Sequence, residues 1–231
     1  QTKVLAALSA FVDTTHLELC RIAVYRFHAV VVDDWHFDRV FLLGDSAHQM
    51  PPFLGQGLCA AVRDAANLAW KVDAVAAGRY SPRLLDTYGQ ERKKHVRTLV
   101  GHAKTFGLII GELDEAAARE RDQSLGAQLL SGEAESVRQK FIPGLEVGLL
   151  AQTADGQPAA GAGELFVQPW VRRAGQPWTR LDDTMTCGFW IATGSDAPLH
   201  DWADLAAWQQ IGGRTVEAYE TERGQASMFQ P

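Results

Sequence analysis

The sequence has no apolar run approaching the roughly 18 to 20 residues that cross a bilayer, and no charged stretch followed by an apolar core at its start. Neither a membrane span nor a secretory leader is expected. Cysteine is scarce as well. Cys20, Cys59 and Cys187 are odd in number, widely separated and free of C-x-x-C spacing, which argues against a disulfide framework, a zinc site or dithiol redox chemistry. Basic charge is short too: 22 Lys and Arg stand against 28 Asp and Glu in 231 residues, for a net charge of -6. With the cations scattered, no field invites a nucleic acid. A soluble, cytoplasmic protein with interior enough for one large domain or two modest ones is expected. The chain opens at Gln1, without an initiator Met, directly into a helical pattern. That is the look of a piece of something longer.

Apolar residues at positions 4, 5, 8, 11 and 12 share one face at helical spacing, so a first helix is expected over residues 2–12. Residues 16–32, HLELCRIAVYRFHAVVV, alternate and are rich in β-branched and aromatic side chains, the pattern of one long or two short strands. RVFLLGD, residues 39–45, has nothing polar between Val40 and Leu43, as in a strand buried on both faces of a parallel sheet. A helix follows over residues 58–77, with Leu58, Val62, Ala65, Ala66, Ala69, Val72 and Ala76 as its apolar stripe and Gly78 as its stop. Ser81 as N-cap and Pro82 at the first helical position start the next helix, and an Ala- and Glu-rich third covers residues 112–139. Glycine and proline then thicken. Strand-like ELFVQPWV and CGFWIAT and an amphipathic helix, WADLAAWQQI, complete the chain. An α/β class with a domain boundary near Lys140, dividing residues 1–140 from 141–231, fits this order.

RVFLLGDSAHQMPPFLGQG, residues 39–57, carries the chemistry and admits two readings. In the first, G-D-S after a strand presents Ser46 as the nucleophile of a GDSL-type esterase, which needs a histidine base oriented by an acid. The D-x-x-H pairs, Asp13 with His16, Asp33 with His36 and Asp45 with His48, all end by residue 48 rather than near the C-terminal end, and a single histidine, His200, follows residue 102. The base is therefore not where that chemistry requires it. In the second reading Asp45, at the carboxyl end of the strand, accepts hydrogen bonds from a polyol. Pro51 and Pro52 stiffen the turn and offer a carbonyl. Gly55 and Gly57 let the backbone pass close to a flat ligand. The helix from Leu58 then aims its free N–H groups and dipole across the loop. A flavin has the ribityl chain and the planar, electron-accepting head that such a cradle would hold.

RVFLLGDSAHQMPPFLGQGLCAAVRDAANLAWKVD resembles the second FAD-binding motif of the class A flavin-dependent aromatic hydroxylases, in particular the 3-(3-hydroxyphenyl)propionate hydroxylase group of the phenol hydroxylase branch. LLDTYGQER and VYRFHAVVVDDW extend the likeness on either side. The resemblance implies the C-terminal part of a PHBH-like FAD-binding fold. It implies FAD as cofactor, NAD(P)H as co-substrate, O2, and a small phenolic acid hydroxylated ortho to its hydroxyl. Carried over by position, it assigns Gly44 and Asp45 to the ribityl side of FAD. Pro52 would stand beside the reactive face of the ring, its carbonyl accepting from the oxygen-carrying flavin or the substrate hydroxyl. Gly55 and Gln56 would complete the loop, and Gly57, Leu58 and Cys59 would bring backbone N–H groups to flavin N1 and O2. Cys59 departs from the Asn of many members. Tyr25 is the candidate for a hydrogen bond to the substrate phenol.

Several neighbours have plainer readings. His48 is expected to be a structural histidine satisfied by loop backbone, and His28 carries less signal still. Arg63, Asp64, Asn67 and Lys71 read as helix-surface pairing and packing. Residues 141–231 resemble, more weakly, an incomplete thioredoxin-like C-terminal domain that serves packing and homodimerisation. The first FAD motif, G-x-G-x-x-G after an N-terminal strand, is absent. The chain is thus expected to hold the C-terminal half of such an enzyme and to be inactive alone, or to act as a non-catalytic oligomerisation module.

Overall fold

The computed structural model describes residues 2–132, 142–166, 168–172, 175–185, 188–193, 204–217 and 220–221. Its spine is a pair of long helices. After the first helix, α1 (Thr2–Leu8), come short strands β1 (Val30–Val31), β2 (His36–Phe37), β3 (Val40–Phe41) and β4 (His48–Gln49). Then follow α2 (Gly57–Ala76), a 3-10 turn at Pro82–Leu85, α3 (Asp86–Ile110) and α4 (Glu115–Ser131). The C-terminal part contains β5 (Trp170–Arg172), β6 (Thr179–Arg180), α5 (Leu181–Thr184), β7 (Trp190–Thr193), α6 (Leu205–Gln210), β8 (Arg214–Glu217) and β9 (Glu220–Thr221).

The punctuation of the helices follows the sequence. Arg79 N–H donates to the Ala74 carbonyl and Gly78 N–H to that of Val75, with Gly78 at φ +69°; this closes the last turn of α2. The Ser81 hydroxyl accepts from Arg83 N–H, and Pro82 opens the turn that leads into α3. Asp114 caps α4 by accepting from Ala117 N–H, and Gly132 ends it in the left-handed region. The sequence expectation ran this helix over residues 112–139, up to a boundary near Lys140; residues 133–141 lie outside the described residues.

The strand expectations need correction. Residues 16–29 form no strand: only Val30–Val31 pairs, antiparallel to His48–Gln49. Alternation makes a strand only where a neighbour satisfies the backbone, and no described strand lies along that stretch. RVFLLGD is likewise no doubly buried parallel strand. Val40–Phe41 makes a two-residue antiparallel hairpin with His36–Phe37, and Val40 and Leu43 are exposed.

α2 has the expected limits but buries the other face. Ala60, Asp64, Leu68, Lys71 and Ala74 are inside, while Leu58, Val62 and Val72 of the apolar stripe are exposed. The core joins Ala60 and Leu68 to Tyr88, Val96, Leu99 and Val100 of α3, with Trp35 and Ala47 from the strand region. α1 and α4 bury nothing.

In the C-terminal part, β5 joins β6 and β9 in an antiparallel sheet. β7 and β8 pair in parallel through a crossover carrying α6. Among the described residues of ELFVQPWV only the end is strand, and CGFWIAT contributes β7, with Trp190, Ile191 and Ala192 half-buried. No described helix is long and apolar enough to cross a membrane.

Candidate functional site

Gly44 begins the 3-10 turn Gly44–Ser46 that ends the hairpin. It lies at φ +57°, and a Cβ there would stand 3.1 Å from the Ala61 Cβ of α2. Both facts favour glycine. The turn is tied down from α2: Gly44 N–H donates to Asp64 Oδ2 at 3.1 Å. Asp45 is left exposed and lines a cleft of about 170 Å³ with Arg26, Phe27, His28, His48 and Gly57.

Ser46 has no nucleophile's setting. Its hydroxyl donates to the Leu43 carbonyl at 2.8 Å and accepts from Leu43 N–H at 3.2 Å. The nearest histidine in sequence, His48, is taken by Asp64.

Beyond β4, Pro52–Leu54 makes a second 3-10 turn capped by Gly55 at φ +61°. The Pro52 carbonyl accepts Gly55 N–H at 2.9 Å, so one of its two lone pairs is used and one is open. A Cβ on Gly55 would meet nothing within 4 Å; glycine here serves the backbone sign, not a close approach. Phe53 seats its ring against Gly107 of α3, where a Cβ would lie 2.5 Å from a ring carbon. Its other neighbour is Phe27, at 6.0 Å between ring centroids.

α2 starts at Gly57 with Gln56 as N-cap and no side-chain cap; Gln56 Oε1 instead accepts from Arg63 at 3.3 Å. The N–H groups of Gly57, Leu58 and Cys59 therefore have neither an intrahelical partner nor a cap. Leu58 and Cys59 are exposed. Tyr25 is 61% exposed, with the Arg21 guanidinium 5.9 Å from its ring centre. Unlike its neighbours Arg26, Phe27 and His28, it is not part of the cleft wall.

Behind the loop lies a buried ionic network that the helix-surface reading of Arg63, Asp64, Asn67 and Lys71 missed. Asp64 accepts from His48 Nε2 at 2.8 Å and from Arg92 Nε at 2.9 Å, besides Gly44 N–H. One turn further on, Glu91 accepts from Lys71 Nζ at 2.6 Å and Asn67 at 2.7 Å, and from Leu149 N–H at 3.1 Å. Burial alone would raise both carboxyls, but these donors outweigh it and hold each below the usual carboxylate range. Burial lowers the Lys71 ammonium, offset in part by Glu91.

His48, expected to be held by loop backbone, is buried. Its partner, however, is the Asp64 carboxylate rather than loop backbone, with Trp35 stacked on its ring at 5.6 Å. The signal available in the sequence was the spacing of Asp64, Asn67 and Lys71 with Leu68, which share one helical face.

Comparison with known proteins gives the family. Residues 4–103 match the FAD binding domain family. The chain is 36% identical over 219 residues to the "Probable NADH-specific resorcinol 4-hydroxylase" of Rhodococcus jostii (strain RHA1), covering 93% of this chain and 38% of that protein. It is 35% identical over 208 residues to a 3-(3-hydroxy-phenyl)propionate/3-hydroxycinnamic acid hydroxylase of Mycobacterium sp. (strain KMS), covering 87% and 36%. Among solved structures, CabE, an aromatic hydroxylase from angucycline biosynthesis, superposes with a TM-score of 0.72 at 23% identity, over 96% of this chain and 44% of that one. Aklavinone-11 hydroxylase, in a ternary complex with FAD and aklavinone, gives 0.62 at 24% identity, over 86% and 37%; these two show the fold.

The loop, the uncapped helix and the matched domain together define part of an FAD-binding protein. The chain belongs to the flavin-dependent aromatic hydroxylases, and it spans 38% and 36% of the length of the two curated relatives it matches.

Proposed function

We propose that this chain forms the isoalloxazine-side wall of the FAD site in a monooxygenase that hydroxylates a phenolic acid ortho to its hydroxyl. One observation carries the reading: Asp45 and Gly57, the first residue of an uncapped helix, line the same cleft. When bound, FAD supplies the redox chemistry, taking electrons from NAD(P)H and passing one oxygen atom of O2 to the ring.

The residues of this chain bind and orient. Asp45 accepts hydrogen bonds from the ribityl hydroxyls. Gly57, Leu58 and Cys59 direct N–H groups and the positive end of the α2 dipole at the flavin edge where negative charge collects. Because these contacts come from backbone, Cys59 can stand where many members have Asn. Gly44, Gly55 and Gln56 shape the loop. Pro52 keeps one lone pair for the substrate hydroxyl, and Tyr25 would reach the phenol. The names of the relatives, which act on resorcinol and on 3-(3-hydroxyphenyl)propionate, support the substrate class. The parallel β7–α6–β8 unit supports a thioredoxin-like C-terminal part, and homodimerisation through it is part of this reading.

The test is Asp45→Ala in the longer enzyme that carries this chain. Loss of one charge-assisted contact set should weaken FAD binding at least about tenfold, or ~1.4 kcal/mol, read from flavin release during titration. Unchanged FAD content and affinity would remove Asp45 from the site.

A further inference from the structure

A second cleft, of about 390 Å³, opens at the far end of α2. It is made from parts of the chain that the flavin reading does not use. Trp70, near the end of the helix, meets Phe189 edge to face, with centroids 4.9 Å apart and planes at 83°. Tyr80, on the turn that leaves α2, and Ile211, just after α6, complete an apolar lining. The backbone also contributes flat wall: Gly188 and Gly212 line the cleft, and a Cβ on either would meet nothing within 4 Å. Charge in the lining is confined to one pair, Asp73 and Arg79.

We propose that this cleft binds a one-ring aromatic carboxylate bearing a hydroxyl, at a site separate from the flavin-side cleft. Its volume falls within the ~300–1,000 Å³ of small-molecule sites, and its lining of aromatic side chains with few polar groups is theirs too. The ring enters against Trp70 and Phe189, whose crossed planes present one face and one edge to a third ring. The buried Lys71 ammonium stands 5.5 Å from the Trp70 ring centre and draws electron density toward itself, which favours an electron-rich phenol on the exposed side.

Charge fixes the orientation. Asp73 engages Nη2 of Arg79, and a guanidinium has five N–H donors in a fork suited to carboxylate. The ligand carboxylate takes the remaining donors of Arg79, and Asp73 accepts from the ligand hydroxyl. A neutral hydrocarbon would leave that pair unused, and a dianion would be repelled by Asp73.

Titration of this chain with 3-(3-hydroxyphenyl)propanoate, followed by calorimetry and by ring-proton NMR, tests the site without FAD or turnover. A failed flavin assignment would therefore leave the result intact. Saturable 1:1 binding is expected, with a Kd of roughly 0.1 to 1 mM for a ligand of this size. Arg79→Gln, an exposed change, should weaken it about tenfold, and Phe189→Leu, which keeps apolar volume, about fivefold. Arg26→Gln, in the flavin-side cleft, should leave it unchanged. No saturable binding up to about 10 mM would overturn the proposal. So would binding that survives both Arg79→Gln and Phe189→Leu, or binding that Arg26→Gln abolishes.

Discussion

Gly44 and Gly55 both take a left-handed conformation, yet they differ in what surrounds them. A side chain at Gly44 would press on Ala61, whereas one at Gly55 projects into open space. Gly55→Ala should cost about 1 kcal/mol, the conformational penalty alone. Gly44→Ala adds a contact that α2 must yield to, and should cost about 2 to 3 kcal/mol. Urea unfolding of both variants gives the comparison, and equal losses would mean that the turn does not lean on the helix.

A second residue carries its own pH signature. His95, buried on α3 with neither ring nitrogen at hydrogen-bonding geometry, is held down to about 4. Burial is the largest cause, followed by the Arg92 and Arg63 charges, with the Pro143 backbone and Asp64 offsetting only part. The unfolded chain takes up this proton below the ordinary value of 6.5, so the native state loses stability as pH falls from there to about 4. The shift corresponds to about 3 kcal/mol. In His95→Leu the loss of stability between pH 6.5 and 4 should shrink by an amount of that order. The steeper loss at lower pH, where Asp64 and Glu91 are protonated, should persist. Urea midpoints at pH 7, 5.5 and 4.5 decide it, and parallel curves for the two proteins would show that His95 does not titrate in that window.

At the scale of elements, stability is concentrated in one helix pair. Leu99 on α3 is fully buried in the core that α2 and α3 share, whereas Leu129 on α4 is 71% exposed. Leu99→Ala should cost about 2 to 5 kcal/mol, and Leu129→Ala less than about 0.5. A comparable loss at Leu129, measured by the same unfolding experiment, would mean that α4 packs more closely than its exposure indicates.

The helices were legible in the sequence because their signals are local: Gly78 as a stop, Ser81 and Pro82 as a start, Gly55 and Gly57 around the loop. The strands were not, because pairing partners are remote, and a pattern such as residues 16–29 carries no record of whether a neighbour is present. The buried face of α2 was misread for a related reason. Leu58, Val62 and Val72 look like core by hydropathy alone, while Asp64 and Lys71 enter the interior only because Arg92 and Glu91 on α3 are there to meet them. The loop itself was readable in residue identity and incomplete in contact. Asp45 and Gly57 share a cleft, but Tyr25 does not join them, and the tie from Asp64 to Gly44 had no sign in the spacing.

For the whole molecule, the distribution of apolar surface matters more than any one contact. Val24 is 95% exposed and Leu58 78% exposed, in the stretch before β1 and at the start of α2, the two regions that flank the flavin-side loop. Side chains of this kind in water are association surfaces when they are grouped, and the chain spans well under half of the relatives it matches. The free chain should therefore bind a hydrophobic dye such as ANS and self-associate with rising concentration. The double variant Val24→Ser and Leu58→Ser removes two exposed apolar groups and touches none of the core. Its unfolding free energy should stay within about 0.5 kcal/mol of the parent, while dye fluorescence and the weight-average mass in sedimentation both fall. If the parent chain sediments as a monomer across the concentration range and leaves the dye dark, these surfaces are too dispersed to act together. If the double variant instead loses stability, Val24 or Leu58 supports the fold in a way its exposure does not reveal.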